Sequence, residues 1–414
     1  MRPVVLQPEP RRWLDISVLA PFEAQYLEHL RAGRYAHHTI RIYLVGIAHF
    51  ARWTKEQRFS VHSINETTRC RFLMEHLPQC RCTDPIRKCP HELRAAINHL
   101  LVVLRATGAI PPAENRSQLS RELAAFDAYM RDVGGLAPTT RRQRQLILSR
   151  FLTVQFGSGE IRAGRITVEA LRSFVLSGDH SWGAGAIRVA GSTLGYYLKF
   201  RQMLGDDVSS LIDAIPHARH WRLTGLPEVL SVEQIDKLLA SFGEDLPSRK
   251  RAYAMVRCIT DLGLRCAEVV NLQLNDIDWH NGVIRVARTK TYYNDALPLP
   301  AATGEAIADY LQNERPTTSN HAIFVRHKAP YDVPIKSGVA KHTVIAAFAR
   351  CGWVRSDPHI LRHSVASRLL RDGTPMKHIA DILRHRSLDT SKIYAKIDLG
   401  RLAAVALPWP GRMA

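Results

Sequence analysis

Two stretches of the N-terminal half carry the same helical pattern, and this repetition limits the possible folds of the chain more than any other feature. The two copies lie about a hundred residues apart. At matched positions the first copy has Thr39, Phe50 and Ile64, and the second has Thr140, Phe151 and Ile166. Each copy begins and ends with an amphipathic segment whose apolar residues recur at helical spacing. We therefore predict two helical domains, at residues 14–110 and 117–215.

A basic segment at residues 216–229 separates these domains from a C-terminal domain at residues 230–414. Pro216, Gly225 and Pro227 interrupt helices, and the Arg and His residues between them would let the segment follow a phosphate backbone. Directly afterwards, Ser231 and Gln234 form a capping-box pattern that predicts the start of a helix.

Short runs of apolar and β-branched residues in the C-terminal domain predict strands. Val283–Ala287 and Ala296–Leu299 are predicted to form a hairpin, and Ile323–Val325 a third strand. Helical patterns surround them. The fold class predicted for the chain is therefore mainly α with a small antiparallel β-sheet.

Basic and phenolic residues of the C-terminal domain form a pattern suited to the exchange of phosphodiester bonds. They are Arg265, within Asp261–Glu268; His359 and Arg362, within Pro358–His363; His385; and Tyr394, nine residues further on. A guanidinium offers a planar fork of donors to the non-bridging oxygens of a phosphate. A site rich in positive charge would favour the phenolate of Tyr394, which could then attack phosphorus and become covalently linked.

This ordered set resembles the tyrosine recombinases, the phage integrases and their transposon and chromosomal relatives. The resemblance implies a helical, SAM-like core-binding domain at 117–215 followed by a tyrosine recombinase catalytic domain. The first helical copy, 14–110, would then be a diverged core-binding repeat that either contacts more DNA or mediates assembly. It also implies a lysine that protonates the leaving 5′-oxygen, and Lys290 is the only lysine between Lys250 and Lys328. His359 and His385 would complete the site by exchanging protons and hydrogen bonds around the phosphate and the tyrosine.

Each of these residues also has an ordinary structural interpretation. His359 and Arg362 are three residues apart and would suit neighbours on a helix surface. Tyr394 follows an apparent helix start and would suit a packed aromatic side chain. The ordered set as a whole favours the functional interpretation.

Three neighbouring residues are interpreted as scaffold or as departures from the family pattern. Glu268 is expected to support Arg265, and His363 is expected to be structural. The family usually has glycine where this chain has Arg384. If the helix end there is left-handed, an arginine costs about 1 kcal/mol.

The charge of the chain favours a polyanionic partner. Lys plus Arg number 57 against 38 acidic residues, giving a formal net charge of +19, which favours nucleic acid by counterion release. No apolar run reaches membrane-spanning length, and the first residues lack the apolar core of a signal peptide. We expect a cytoplasmic protein that contacts double-stranded DNA and no membrane.

Four of the seven cysteines cluster in the N-terminal half. Cys70, Cys80, Cys82 and Cys89, with His91, supply enough ligands for zinc, but their spacing matches no familiar zinc knuckle. Free thiols in a reducing cytosol are the preferred interpretation, and no metal is assigned. No phosphate-binding loop for a nucleotide is present, so no cofactor is expected.

The leading hypothesis is a site-specific recombinase or integrase of a mobile genetic element. The resemblance implies a homo-tetramer on two DNA sites that exchanges strands through 3′-phosphotyrosine intermediates. One alternative is a type IB topoisomerase-like nicking and closing enzyme, which uses related chemistry. Another is a DNA-binding protein that has lost catalysis, against which the intact residue set argues.

Overall fold

The chain divides into two compact units. The computed structural model describes residues 5–82, 85–112, 118–157, 159–176, 182–216, 227–287, 294–355, 357–384 and Tyr394. One unit combines Met1–Ile110 with Gly225–Ala414, and the other is Pro111–Thr224. Each unit has hydrophobic clusters of its own.

The N-terminal segment of the first unit is helical. Its α-helices are α1 (Pro8–Asp15), α2 (Glu23–Ala32), α3 (His37–Glu56), α4 (Glu66–Arg71) and α5 (Pro90–Ala106). A π-helical turn at Phe72–His76 and a 3-10 turn at Leu77–Gln79 follow α4. The helices pack around the buried rings of Phe50, Trp53 and Phe72.

The second unit is helical as well. Its helices are α6 (Gln118–Asp132), α7 (Pro138–Phe156), α8 (Val168–Leu176), α9 (Ala184–Met203) and α10 (Ser209–Asp213). The matched apolar positions of the sequence repeat are buried in separate cores. Phe50 and Ile64 lie in the N-terminal cluster, while Phe151 and Ile166 lie in the cluster of the second unit.

The C-terminal segment adds helices around a small sheet. The elements are α11 (Val232–Ala240), α12 (Arg249–Leu262), α13 (Cys266–Asn271), β1 (Ile277–Asp278), β2 (Val283–Ala287), β3 (Asn294–Pro298), α14 (Ala301–Asn313), α15 (Ser337–Arg350), α16 (His359–Arg371) and α17 (Met376–Ile382). The predicted capping box is present: the Ser231 side chain accepts from the Gln234 N–H, and the Gln234 side chain accepts from the Ser231 N–H.

The sheet is antiparallel in the order β1-β2-β3, which confirms the predicted fold class. Strand β2 pairs with β3, with Ile284 opposite Leu297. The third strand predicted at Ile323–Val325 is wrong, because β1 takes that place in the sheet. The bridges around Ile323–Val325 lead to two different loops, Gln273 with Ala322 and Val325 with Pro334, so no continuous ladder forms. Its side chains are all buried in the helical core instead.

Helix length and apolarity together decide whether a segment suits a bilayer. Within the part of the chain that the structure describes, no helix is long and apolar enough to cross a membrane.

Gly263 closes the end of α12 in a conformation that other residues rarely adopt. Its φ is +61°, and a Cβ there would lie 2.7 Å from Cδ2 of Leu383. Its carbonyl also accepts a hydrogen bond from Arg362. Glycine is therefore required both for the backbone conformation and for the close approach of the segment that follows α17.

We predict that Gly263→Ala destabilises the C-terminal domain more than Gly282→Ala does. Gly282 has nearly the same φ, +60°, but no atom lies within 4 Å of the position that a Cβ would take there. Gly282→Ala should cost about 1 kcal/mol for the backbone alone, and Gly263→Ala about 1–3 kcal/mol more because of overpacking. Urea denaturation of the two variants measures the difference. Equal losses would mean that Leu383 does not restrict this position.

Candidate active site

One cavity of about 390 Å³ gathers three of the predicted site residues. Arg265, His359 and Arg362 all line it, together with Lys341 and Asp357. The first residues of α15 and α16 also line the cavity. Helix N-termini present free N–H groups and the positive end of the helix dipole, so this cavity is suited to an anion.

Arg265 stands directly before α13, where Glu268 fixes it. The Arg265 N–H donates to Oε2 of Glu268 at 2.8 Å, and its Nη1 donates to Oε1 at 2.6 Å. Glu268 is buried, whereas the Arg265 side chain remains 36% exposed. The expectation that Glu268 supports Arg265 therefore agrees with these contacts. The Arg265 guanidinium therefore remains accessible from the cavity, while Glu268 fixes the backbone N–H and one guanidinium nitrogen.

Arg384 is the second partner of Glu268. Its Nη2 donates to Oε2 of Glu268 at 2.9 Å, and the two side chains are 1% and 3% exposed. Burial raises the pKa of Glu268, but contacts with Arg384 and Arg265 lower it by more. The resulting pKa therefore lies below the ordinary value. Arg384 has a φ of +53°, the left-handed conformation that the sequence comparison anticipated at this helix end. Arg384, which stands where the family usually has glycine, thus forms a buried ion pair with Glu268.

Arg362 is buried and joins two other elements. Its Nη1 donates to the carbonyl of Gly263, after α12, and its Nη2 donates to the carbonyl of Leu383, after α17. Burial and the neighbouring charges of Arg265 and Arg384 lower its pKa to about 9. The guanidinium therefore stays charged at neutral pH.

Tyr394 is 1% exposed, and it contacts His363, the second histidine of the segment Pro358–His363. Its hydroxyl lies 2.9 Å from Nδ1 of His363, and the two rings meet edge to face. The positive charge of Arg362 and Arg265 acts in the expected direction, toward the phenolate. Burial raises the pKa of Tyr394, and the opposing effects of Arg362 and Arg265 do not overcome it. The tyrosine is thus held as a neutral phenol.

His363, which the sequence analysis interprets as structural, is the side chain that the structure places against the Tyr394 hydroxyl. Burial, with the neighbouring His359 charge, lowers its pKa, so the imidazole is neutral and can accept a proton from the Tyr394 hydroxyl. The signal was its spacing: His359 and His363 are four residues apart on one helix face, with ring centroids 6.4 Å apart.

Two predicted site residues, Lys290 and His385, lie outside the described residues. The lysine that the structure places at the cavity is Lys341, on α15, which sequence reasoning did not select. A lysine ammonium at the cavity adds to its positive charge.

Solved structures of recombinases share this fold. A XerH site-specific recombinase bound to palindromic difH substrate, in a post-cleavage complex, matches with a TM-score of 0.50 at 17% identity, covering 88% of this chain and 94% of that one. A lambda integrase dimer bound to a COC′ core site matches with a TM-score of 0.51 at 15% identity, covering 77% of this chain and 90% of that one. At such identities the likeness concerns the fold.

Sequence relatives identify the class. Residues 228–400 match the phage integrase family. A protein of Sinorhizobium fredii assigned as an integrase/recombinase, y4rA, is 33% identical over 370 residues, covering 88% of each chain. Tyrosine recombinase XerA of Thermococcus onnurineus is 25% identical over 287 residues, covering 69% of this chain and 93% of that protein. Fold and sequence together define a tyrosine recombinase, an enzyme that breaks and rejoins DNA strands. The chain belongs to the phage integrase family.

We predict that Arg384→Ala is more destabilising than Arg384→Gly. Both variants remove one of the two cations that compensate the buried Glu268, which should cost about 3–5 kcal/mol. Only glycine relieves the left-handed backbone, so Arg384→Gly should retain about 1 kcal/mol more stability. Chemical denaturation at neutral pH measures both.

Acid titration provides a second measurement on the same variants. The folded-state pKa of Glu268 lies below its ordinary value of 4.5, so its stabilising contribution is complete above about pH 4.5 and is lost as the pH falls. The wild-type protein should lose more stability than Arg384→Gly as the pH falls below about 4.5 and through the folded-state pKa. Parallel acid profiles would show that Arg384 does not stabilise the carboxylate.

Proposed function

We propose that this recombinase is the integrase of a mobile genetic element, and that it cuts and rejoins double-stranded DNA through a 3′-phosphotyrosine intermediate. The observation that carries this proposal is the shared cavity of Arg265, His359 and Arg362, with Tyr394 joined to the same helix through His363. The full proposed catalytic set is Arg265, Lys290, His359, Arg362, His385 and Tyr394.

The cavity would bind the scissile phosphate. Arg265 is partly exposed and Arg362 uses two of its nitrogens on carbonyls, so both retain N–H donors for the non-bridging oxygens. The N-terminus of α15 adds backbone donors, whereas at α16 the His359 N–H already donates to Oδ1 of Asp357. These donors are fixed before DNA arrives, so they can stabilise the charge that develops on the phosphate without reorganising.

Tyr394 would then attack phosphorus in line with the 5′-oxygen. The Tyr394 oxygen forms a bond to phosphorus, its proton passes to Nδ1 of His363, and the bond from phosphorus to the 5′-oxygen breaks. Lys290 protonates the leaving oxygen, while His359 and His385 hydrogen-bond the phosphate and the tyrosine. Because the phosphodiester bond energy is kept in the phosphotyrosine, the reverse attack by a 5′-hydroxyl rejoins the strand without a nucleotide cofactor.

The partner of this reaction would be double-stranded DNA, in keeping with the net charge of +19. XerH and lambda integrase are both described as bound to their DNA sites. We propose that residues 117–215 and the catalytic domain at 230–414 both bind DNA, with 216–229 as the basic linker and 14–110 as a diverged repeat. The enzyme would act in the cytoplasm as a homo-tetramer on paired sites.

We predict that Tyr394→Phe retains DNA binding but forms no covalent adduct. The substrate is a recombination site nicked close to the cleavage point, which traps the adduct, and denaturing electrophoresis measures it. Tyr310→Phe is the matched control, because Tyr310 is equally buried but lies away from the cavity. An adduct at wild-type level in Tyr394→Phe would exclude it as the nucleophile. Relaxation of supercoiled plasmid lacking paired sites would instead support the topoisomerase-like alternative.

We predict that Lys290→Ala is rescued by a substrate whose 5′-bridging oxygen is replaced by sulfur. A thiolate leaves without protonation, so loss of the general acid matters little on that substrate. On the oxygen substrate the variant should lose about 10²-fold or more in cleavage rate. Lys341→Ala is the comparison, because Lys341 lines the cavity. If sulfur rescues Lys341→Ala and not Lys290→Ala, the proton comes from Lys341.

A further inference from the structure

We propose that the N-terminal domain holds a structural zinc ion between His49, His76, Cys80 and Cys82. Within the described residues, one ligand atom of each of these four side chains lies within 4.8 Å of all the others. This inference does not depend on the proposed function, because the cluster belongs to the N-terminal helices and not to the catalytic cavity.

Helix α3 and two consecutive turns bring the ligands together. His49 is buried on α3. His76 ends the π-helical turn Phe72–His76, and the 3-10 turn Leu77–Gln79 then reverses the chain so that Cys80 and Cys82 return toward α3. The wider π-helical turn alters the angle at which His76 leaves the helix. The result is an H-x₃-C-x-C segment facing a histidine of a neighbouring helix.

Three of the distances between the ligand atoms are close to those of tetrahedral zinc. Zn–N bonds of about 2.0–2.1 Å and Zn–S bonds of about 2.3 Å place two nitrogens about 3.3 Å apart and a nitrogen and a sulfur about 3.5 Å apart. Here Nε2 of His49 and Nε2 of His76 are 3.3 Å apart. Sγ of Cys80 lies 3.4 Å from Nε2 of His49, and Sγ of Cys82 lies 3.8 Å from Nε2 of His76. Two thiolates and two imidazoles form a ligand set that selects zinc.

A hydrogen bond fixes the tautomer that metal binding requires. Nδ1 of His49 lies 3.1 Å from the carbonyl of Arg87, and since a carbonyl only accepts, Nδ1 must carry the proton. Nε2 of His49 is then left with a lone pair. Metal-bound histidines are commonly oriented in this way by a carbonyl on the other ring nitrogen. The N–H of Cys82 also donates to Sγ of Cys80 at 3.4 Å, which orients that sulfur.

Hydrogen bonds alone account poorly for the cluster. Nε2 of His49 has a single lone pair, yet both His76 and Cys80 approach this atom within 3.4 Å. Only one of them can donate to that lone pair in good geometry. A cation at the centre satisfies all four ligand atoms at once, and the two thiolates neutralise its charge within a partly buried site.

The structure also replaces the ligand set considered from the sequence. Cys70 and Cys89 are exposed and, with His91, stand outside the cluster, whereas Cys80 and Cys82 belong to it. His49 and His76 come from places in the chain that cysteine spacing does not indicate. The ion would fasten the segment after α4 to α3, beside the stacked rings of Phe72 and His76.

Metal analysis of the full chain tests the proposal. The protein is stripped with a chelator under reducing conditions, reloaded with Zn²⁺ or Co²⁺, and desalted. We expect one zinc per chain by elemental analysis, and for Co²⁺ the intense visible absorption of tetrahedral coordination together with a sulfur-to-cobalt charge-transfer band. Chelation should lower the Tm of the N-terminal domain by on the order of 5 °C, and Zn²⁺ should restore it.

Matched cysteine variants locate the ion. The double variant Cys80→Ser with Cys82→Ser should lose the charge-transfer band and at least tenfold in zinc affinity, while Cys70→Ser with Cys89→Ser should keep both. If the first variant does not fold, the cobalt spectrum of the wild-type protein still decides between sulfur and oxygen ligation. Wild-type protein that retains no metal after reloading, or a control double variant that loses it equally, would overturn the site.

Discussion

The buried guanidinium of Arg362 is the contact on which the catalytic site depends. One side chain from α16 donates to the carbonyls of Gly263 and Leu383, and so it ties the ends of α12 and α17 together. Removing a cation from water is costly unless it is paired and hydrogen-bonded. Because both carbonyls belong to residues at helix ends, the same bonds position Arg265 and Arg384, which follow them in the chain.

A single buried carboxylate balances this group of cations incompletely. Glu268 contacts Arg265 and Arg384 directly, and Arg362 lies close enough for their charges to lower its pKa. The site therefore keeps a net positive charge inside a region of low dielectric, where a charge interacts more strongly than in water. A phosphate bound in the cavity would supply the missing negative charge. Its attraction to the guanidinium groups would then offset their mutual repulsion.

In the proposed mechanism, proton transfer and charge stabilisation involve different side chains: His363 takes the proton of Tyr394, and the arginines stabilise the charge on the phosphate. Burial keeps the phenol neutral, and the negative charge of a phosphate would not favour its ionisation. Positive charge in the cavity therefore does not suffice to activate the nucleophile, and a base in contact with the hydroxyl is needed. His363 is neutral and 2.9 Å away. In the proposed reaction, the arginines then act on the phosphate, where negative charge accumulates.

The sequence by itself determined the fold class and the helix start at Ser231, because both follow from local spacing. The support of Arg265 by Glu268 and the question of a left-handed helix end at Arg384 came from the resemblance to the family. Tertiary structure decided what depends on distant partners. Ile323–Val325 has strand composition, but its neighbours offer no continuous ladder. The pKa of Tyr394 depends on its burial. The contact between His363 and the Tyr394 hydroxyl depends on tertiary packing, as does the cluster of His49 and His76 with Cys80 and Cys82. Such contacts join residues that are far apart in the chain, and local residue spacing does not predict them.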